Sequence, residues 1–217
     1  LDWCVQQQHL PENPVKRISR PRLPKSLPKH LTKEDALKLL DWTQNFPYNY
    51  KFERHRAVAI IATFIYTGLR LQELRNLRIA DIDLEGKTLF VKSGKGDKDR
   101  IVPLNSKLVL ILQNYLTERA RLKKTCPYFF TAMREDTIMG DLVVKRLIIK
   151  LREKSKIPFH AHLLRHTFAT LMLEGGCDLF SLSKMLGHSD IKTTTIYLSA
   201  TAAHLQQQIE KHPLNFL

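Results

Sequence analysis

Apolar positions recur with the period of an α-helix along most of the chain. A first helix is predicted from Thr32, whose hydroxyl suits an N-cap, to about Asn45, just before Pro47. The next segment, RHRAVAIIATFIYTG, is apolar on most faces and ends at Gly68, which suits a left-handed C-terminal cap. This segment is therefore predicted to be the buried central helix. Further helices are predicted at about residues 106–123, 139–155, 162–174, 178–186 and 190–199.

Three short segments between these helices have the composition of strands. They read IADIDL, KTLFVK and RIVPL, and they are joined by the turn EG and by the longer connection SGKGDKD. Short connections of this kind favour antiparallel pairing. The predicted fold is therefore mainly α with a small three-stranded antiparallel sheet, an α+β protein.

The charge of the chain points to a polyanionic partner. The 217 residues include 35 Lys and Arg against 21 Asp and Glu, a formal net charge of +14. Such an excess favours double-stranded DNA as the partner. No apolar run is long enough to span a membrane and no signal peptide is evident, so a soluble cytoplasmic protein without membrane contact is predicted. Three widely spaced cysteines favour neither a disulfide framework nor a cysteine-rich zinc site.

A basic, proline-rich segment precedes the first predicted helix. Between Glu12 and Glu34 the chain has no acidic residue, and basic residues alternate with prolines, as in an extended tether. Two interpretations are open: a solvated interdomain linker, or a linker that also contacts DNA phosphates. The residues predicted to contact phosphates are Lys16, Arg17, Arg20, Arg22 and Lys25.

The segment HLLRH combines a permanent cation with a proton-transfer group. His162 and Arg165 are one helical turn apart and share a face, which suits an anion held beside a histidine. Core or surface histidines are one alternative. Another is a metal site built from His160 and His162, or from His162 and His166, although the charge of Arg165 opposes metal binding there.

Two further segments carry candidate residues that, taken alone, suit ordinary structural positions. In TGLRLQELRNL, Arg70 and Glu73 are placed like an ordinary surface ion pair. In LGHSDIKTTTIYL, His188 suits a cap or a surface position, and Tyr197 suits a packing position.

Taken in this order, the segments TGLRLQEL, HLLRHTFATLMLEGG and LGHSDIKTTTIYL resemble the three signature blocks of the tyrosine recombinases, the phage-integrase and Xer-like family. The resemblance extends over about residues 32–203. It implies a tyrosine recombinase catalytic domain at 32–217, with a C-terminal tail from about residue 200. It also implies that residues 11–31 are the interdomain linker and that residues 1–10 end the last helix of a preceding core-binding domain.

The resemblance also implies a role for each matching residue. Arg70 and Arg165 would hold the scissile phosphate, and Tyr197 would be the nucleophile. His162 would transfer a proton, and His188 would donate a second hydrogen bond to the phosphate. His160 and His166 receive no role.

Two more residues complete the implied site. Glu73 would orient the catalytic groups, and Lys95 would protonate the leaving oxygen. The implied activity is site-specific recombination through a 3′-phosphotyrosyl intermediate, without metal, ATP or another cofactor, by a homotetramer assembled on two DNA sites through the tail.

Other readings remain open at this point. They are a type IB topoisomerase that only relaxes DNA, a metal-dependent tyrosine endonuclease that uses His160 and His162, and a DNA-binding fragment that is inactive alone.

Overall fold

A computed structural model describes residues 1–18, 29–92, 99–188 and 192–197. Its helices are α1 (Asp2–Gln6), α2 (Lys33–Asn45), α3 (Lys51–Thr67), α4 (Leu71–Asn76), α5 (Ser106–Arg121), α6 (Asp141–Ser155), α7 (Ala161–Glu174), α8 (Leu179–Leu186) and α9 (Lys192–Thr195), and its strands are β1 (Ile82–Asp83), β2 (Thr88–Val91) and β3 (Arg100–Pro103). The predicted fold class is confirmed. Within these ranges no helix combines the length and the apolar character that crossing a membrane requires.

Helix α3 is the centre of the core, as its apolar sequence predicts. Its residues 57–65 are all buried, and it packs against α2, α5 and α7. The hydroxyl of Thr63 donates to the carbonyl of Ala59 at 2.7 Å, so a polar side chain is satisfied inside the core. The helix ends at Gly68, which has the predicted left-handed conformation with φ of 63°.

The start of the helical core is fixed by local capping and by one long-range hydrogen bond. Thr32 accepts a hydrogen bond from the backbone N–H of Asp35 at 3.1 Å, as predicted for the start of α2. Leu31 is buried, and its N–H donates to the hydroxyl of Thr167 in α7 at 2.9 Å. Core packing therefore already includes residue 31, while the assignment of residues 1–31 to a preceding domain and a linker stays a prediction.

The three strands form an antiparallel sheet in the order β1, β2, β3. Leu89 pairs with Val102, and both side chains are fully buried. The prediction of a strand throughout IADIDL was wrong, because Ile79–Asp81 forms a 3-10 turn. The carboxylate of Asp81 accepts the N–H of Arg78 at 2.9 Å and stabilises this turn, so only two residues remain for β1.

Several boundaries differ from the sequence predictions. Helix α4 was not predicted, α5 ends two residues early at Arg121, and α6 begins at Asp141 instead of residue 139. Asp178 caps α8 by accepting the N–H of Ser181 at 2.8 Å. For the helix predicted at 190–199, the described part is α9, and the tail from about residue 200 lies outside the described residues.

Gly68 provides a test of how tightly the end of α3 is packed against the second and third signature segments. A Cβ at this position would lie 2.4 Å from the ring of Phe168 and 3.2 Å from Leu186, on a backbone with positive φ. Gly68→Ala should lower the free energy of unfolding by about 2–4 kcal/mol, since left-handed strain and overpacking act together. Urea unfolding measures this loss. Gly140→Ala is the matched control, because no atom lies within 4 Å of a Cβ there, and equal losses in the two variants would contradict the prediction.

Candidate active site

A cleft of about 570 Å³ lies between the start of α4, helix α6 and the start of α7. Its polar lining side chains are Arg70, Lys145, Arg152, His160, His162 and Arg165. Among the described residues that line it there is no carboxylate. The cleft therefore has the charge of an anion-binding site.

Arg165 is a buried guanidinium that connects all three signature segments. Its side chain projects from α7, and the residue is only 3% exposed. Nη1 donates to the carbonyl of Gly68 at 2.7 Å, and Nη2 donates to the carbonyl of Leu186 at 2.6 Å. Burial and the nearby charge of Arg70 lower the pKa of Arg165 to about 10, so the group stays charged at neutral pH.

Arg70 and Glu73 lie together at the start of α4. The backbone N–H of Arg70 donates to one carboxylate oxygen of Glu73 at 2.7 Å, and Nη1 donates to the other at 3.0 Å. The Glu73 side chain is only 8% exposed, whereas that of Arg70 is 38% exposed and lines the cleft. The interpretation as an ordinary surface ion pair is therefore wrong.

Glu73 has a second partner that the sequence analysis missed. Arg100, the first residue of β3, donates from Nη1 and Nη2 to the two carboxylate oxygens, each at 2.8 Å. Burial alone would raise the pKa of Glu73, but the hydrogen bonds from Arg100 and Arg70 outweigh it and lower the pKa to about 2. The available signal was strand alternation, which places Arg100 on the same inward side as Val102.

Two histidines at the start of α7, His160 and His162, have different surroundings. His160 is the N-cap, and its Nδ1 accepts the N–H of Leu163 at 3.2 Å, a structural contact. His162 lines the cleft with Arg165, as the helical spacing predicts. Burial and the charge of Arg165 lower the pKa of His162, which favours its neutral form.

Tyr197 lies next to His166. Its hydroxyl is 2.8 Å from Nδ1 of His166, whose ring in turn packs against that of His162 with centroids 4.4 Å apart. Tyr197 is 2% exposed, packs in a small apolar cluster with Phe168 and Leu186, and does not line the cleft. Burial raises the pKa of Tyr197, and the charge of Arg165 only partly opposes this.

His188 connects Arg165 to α9. Its Nε2 is 3.2 Å from Nη2 of Arg165, and its Nδ1 is 2.8 Å from the hydroxyl of Thr194. Because a guanidinium only donates, Nε2 acts as the acceptor and the ring proton is on Nδ1. His188 follows Gly187, whose left-handed conformation ends α8 and turns the chain toward this contact.

The remaining predicted residues are the candidate proton donor and the basic residues of the N-terminal segment. Lys95, Arg20, Arg22 and Lys25 lie outside the described residues. Lys16 and Arg17 are exposed, and Arg17 forms an ion pair with Glu12 at 3.5 Å. In the described ranges, no cluster of three or more His, Cys, Asp or Glu is arranged to hold a metal ion, and independence from metal stays a prediction.

Comparison with known proteins relates this geometry to a family. The phage integrase family matches residues 29–204. The chain is 35% identical over 205 residues to tyrosine recombinase XerA of Pyrococcus horikoshii, covering 94% of this chain and 68% of the relative. It is 36% identical over 220 residues to tyrosine recombinase XerC of Chlamydia trachomatis serovar L2, covering 98% and 67%.

Solved structures agree with these relatives. A crystal structure of XerA recombinase superposes with a TM-score of 0.73 at 33% identity, covering 88% of this chain and 67% of that one. The XerH site-specific recombinase in a post-cleavage complex with a palindromic difH substrate gives 0.72 at 27% identity, covering 86% and 54%. The predicted recognition is thus confirmed: the chain belongs to the phage integrase family and is a tyrosine recombinase catalytic domain, from an enzyme family that cleaves and rejoins DNA.

Proposed function

We propose that the cleft is the catalytic centre of a site-specific recombinase that acts on double-stranded DNA through a 3′-phosphotyrosyl intermediate. The observation that supports this most directly is that Arg70 and Arg165, which are distant in sequence, line one cleft together with His162. The XerH neighbour is described as bound to its difH substrate, which supports DNA as the partner.

The two arginines are suited to hold one phosphodiester. Contacts with Gly68, Leu186 and His188 use three of the five N–H donors of Arg165 and fix its plane, so the remaining donors have a set direction. Arg70 is oriented by Glu73 and presents a partly exposed guanidinium to the same cleft. Two guanidiniums on one phosphate neutralise its charge and stabilise the additional charge of the transition state.

The reaction exchanges one phosphodiester for another. The hydroxyl of Tyr197 gives its proton to an imidazole of the site and its oxygen forms a bond to phosphorus. The bond from phosphorus to the 5′ oxygen then breaks, and that oxygen takes up a proton. Forming phenolate at pH 7 costs about 4 kcal/mol from a pKa of about 10, and the two guanidiniums lower this cost. Because the bond energy is retained, a 5′ hydroxyl from another strand reverses the step without ATP or metal. Lys95 is the proposed proton donor to the leaving oxygen.

His166 is added to the proposed machinery. The sequence resemblance gave the proton-transfer role to His162, yet the tyrosine hydroxyl contacts His166. A neutral imidazole with an unprotonated Nδ1 accepts the hydroxyl hydrogen. His166 therefore holds the tyrosine before attack, while His162 acts beside the phosphate in the cleft.

The larger assembly is part of the proposal. A homotetramer on two DNA sites through the C-terminal tail, and phosphate contacts by the basic linker, rest on the family resemblance. The cytoplasmic location likewise stays a prediction.

Covalent capture tests the proposed nucleophile. The protein is mixed, with a chelator present, with a pool of duplexes that contain a randomised stretch and a nick that lets the cleaved fragment leave. The expected result is a protein–DNA adduct that survives denaturation and is joined through Tyr197. Tyr197→Phe should bind the same duplexes and form no adduct, whereas Tyr66→Phe, a half-buried tyrosine elsewhere on α3, should form it normally.

The capture experiment also separates the competing activities. Adducts that require added metal would identify a metal-dependent endonuclease. Cleavage by Tyr197→Phe would exclude the assigned nucleophile. Exchange of strands between two differently labelled duplexes, which contain the captured sequence, distinguishes recombination from relaxation of one duplex.

The two phosphate-binding arginines should differ in their effect on stability. Arg70→Ala should slow adduct formation by about 10²–10³-fold with little change in unfolding, because its side chain is partly exposed. Arg165→Ala should abolish the adduct and also lower the free energy of unfolding by about 1–3 kcal/mol for each buried carbonyl left without a partner. Single-turnover kinetics and urea unfolding measure the two effects. Equal stability losses in both variants would argue against the buried role of Arg165.

His166 should make stability depend on pH. Burial and the neighbouring His162 lower the pKa of His166 to about 4 in the folded state, against about 6.5 in the unfolded chain. Between these values the unfolded state binds more protons, so stability falls as the pH is lowered from about 6.5 to 4. The free energy of unfolding of the unchanged protein should fall more over this pH window than that of His166→Gln. Parallel pH profiles for the two proteins would contradict the lowered pKa of His166.

A further inference from the structure

Arg100 lies at a buried position, where a guanidinium destabilises the fold unless acceptors satisfy its N–H groups. It is the first residue of β3 and faces inward on the same side as Val102, and its side chain is 5% exposed. A guanidinium buried at this level is retained only where hydrogen bonds compensate the lost hydration. The hydrogen-bond partners of Arg100 therefore indicate which part of the structure this side chain supports.

The hydrogen bonds that the structure describes for Arg100 lead to the first and third signature segments. Two parallel bonds of 2.8 Å join its Nη atoms to both oxygens of Glu73, the bidentate geometry that fixes a carboxylate in rotation as well as in position. Nε donates to the carbonyl of Met185 at 2.8 Å. The side chain thus links the first signature segment to the third.

The end of α8 is shaped to receive this side chain. A Cβ on Gly187 would lie 2.9 Å from Cδ and 3.0 Å from Nη1 of Arg100, so the guanidinium lies directly against the backbone that leads to His188. The neighbouring carbonyls of Met185 and Leu186 accept from Arg100 and Arg165, respectively. Two arginines on different elements therefore hold consecutive peptide groups.

We propose that Arg100 is a positioning residue for the recombination reaction: through Glu73 it sets the direction of the Arg70 guanidinium, and through Met185 and Gly187 it sets the place of His188. Arg100 does not line the cleft, so it acts on the phosphate only through these residues. The inference rests on the proposed function, because its effect is read in the rate of Tyr197 attack. Hydrogen bonds made to the side chains that contact a substrate orient those side chains, and their loss changes rates by about 10–100-fold.

The test compares three variants on a duplex recovered by covalent capture with the unchanged protein. Arg100→Gln should form the adduct about 10–100-fold more slowly in single turnover, while its affinity for the duplex changes less than about threefold. Arg100→Lys, which keeps the charge and loses the bidentate geometry, should recover only a small part of the rate. Arg56→Gln is the matched control, since Arg56 is also a buried arginine and donates to the carbonyl of Thr131, away from the cleft. It should keep the normal rate at temperatures well below unfolding.

A double-mutant cycle with Glu73 decides whether Arg100 acts through that carboxylate. Glu73→Gln combined with Arg100→Gln should lose much less rate than the product of the two single losses, because both changes break the same contact and only the bond from Arg100 to Met185 is independent of Glu73. Rate losses that multiply, a normal rate in Arg100→Gln, or an equal loss in Arg56→Gln would overturn the inference. Failure of the unchanged protein to form any adduct would instead overturn the proposed function, and this inference with it.

Discussion

The arrangement of the site depends on one buried cation, the guanidinium of Arg165. A charged group this deep in the protein has to be surrounded by acceptors, and the carbonyls of Gly68 and Leu186 accept from it together with Nε2 of His188. These carbonyls close α3 and α8, which are more than a hundred residues apart in the chain. Folding can satisfy the cation only by bringing the ends of both helices to α7, so the requirement that buries Arg165 also assembles the three signature segments.

A second constraint is the balance of charge around that cation. Burial lowers the pKa of Arg165 most, and the charges of Arg70 and Arg100 lie close enough to lower it further, because like charges repel in a poorly hydrated site. The carboxylate of Glu73 offsets this repulsion by accepting hydrogen bonds from Arg70 and Arg100. It is withdrawn from the cleft, so the surface available to a phosphate keeps its positive potential. Glu73 thus reduces the repulsion among the three arginines and, because it does not line the cleft, does not repel a phosphate bound there.

The sequence predicted those features that depend on neighbouring residues and on strong periodicity. The cap at Thr32, the buried α3 and its glycine end are local, and they are present as predicted. Helix α4 was missed because six residues give too little periodicity, and its start is capped by Glu73, which accepts from the N–H of Arg70. Arg100 was missed because an arginine that begins a short strand reads as a solvated end unless its distant acceptor is known. Helical spacing alone likewise could not choose between His162 and His166, since the choice depends on where Tyr197, just after α9, lies against α7.

In this structure the hydroxyl of Tyr197 contacts His166 and does not line the cleft, so the proposed attack requires it to move. Burial raises the pKa of this tyrosine, which opposes formation of the phenolate that the proposed attack requires. The hydroxyl must therefore exchange its contact with His166 for one at phosphorus, beside the guanidiniums that stabilise negative charge. The described contacts of the segment that carries it include side-chain hydrogen bonds at Tyr197 and Thr194, each worth about 1 kcal/mol net, and packing of Tyr197 in a small apolar cluster separate from the main core. Under the proposed mechanism, contacts between a basic protein and several phosphates are the source of free energy for this exchange, while the buried hydrogen bonds of Arg165 keep the phosphate-binding group in place.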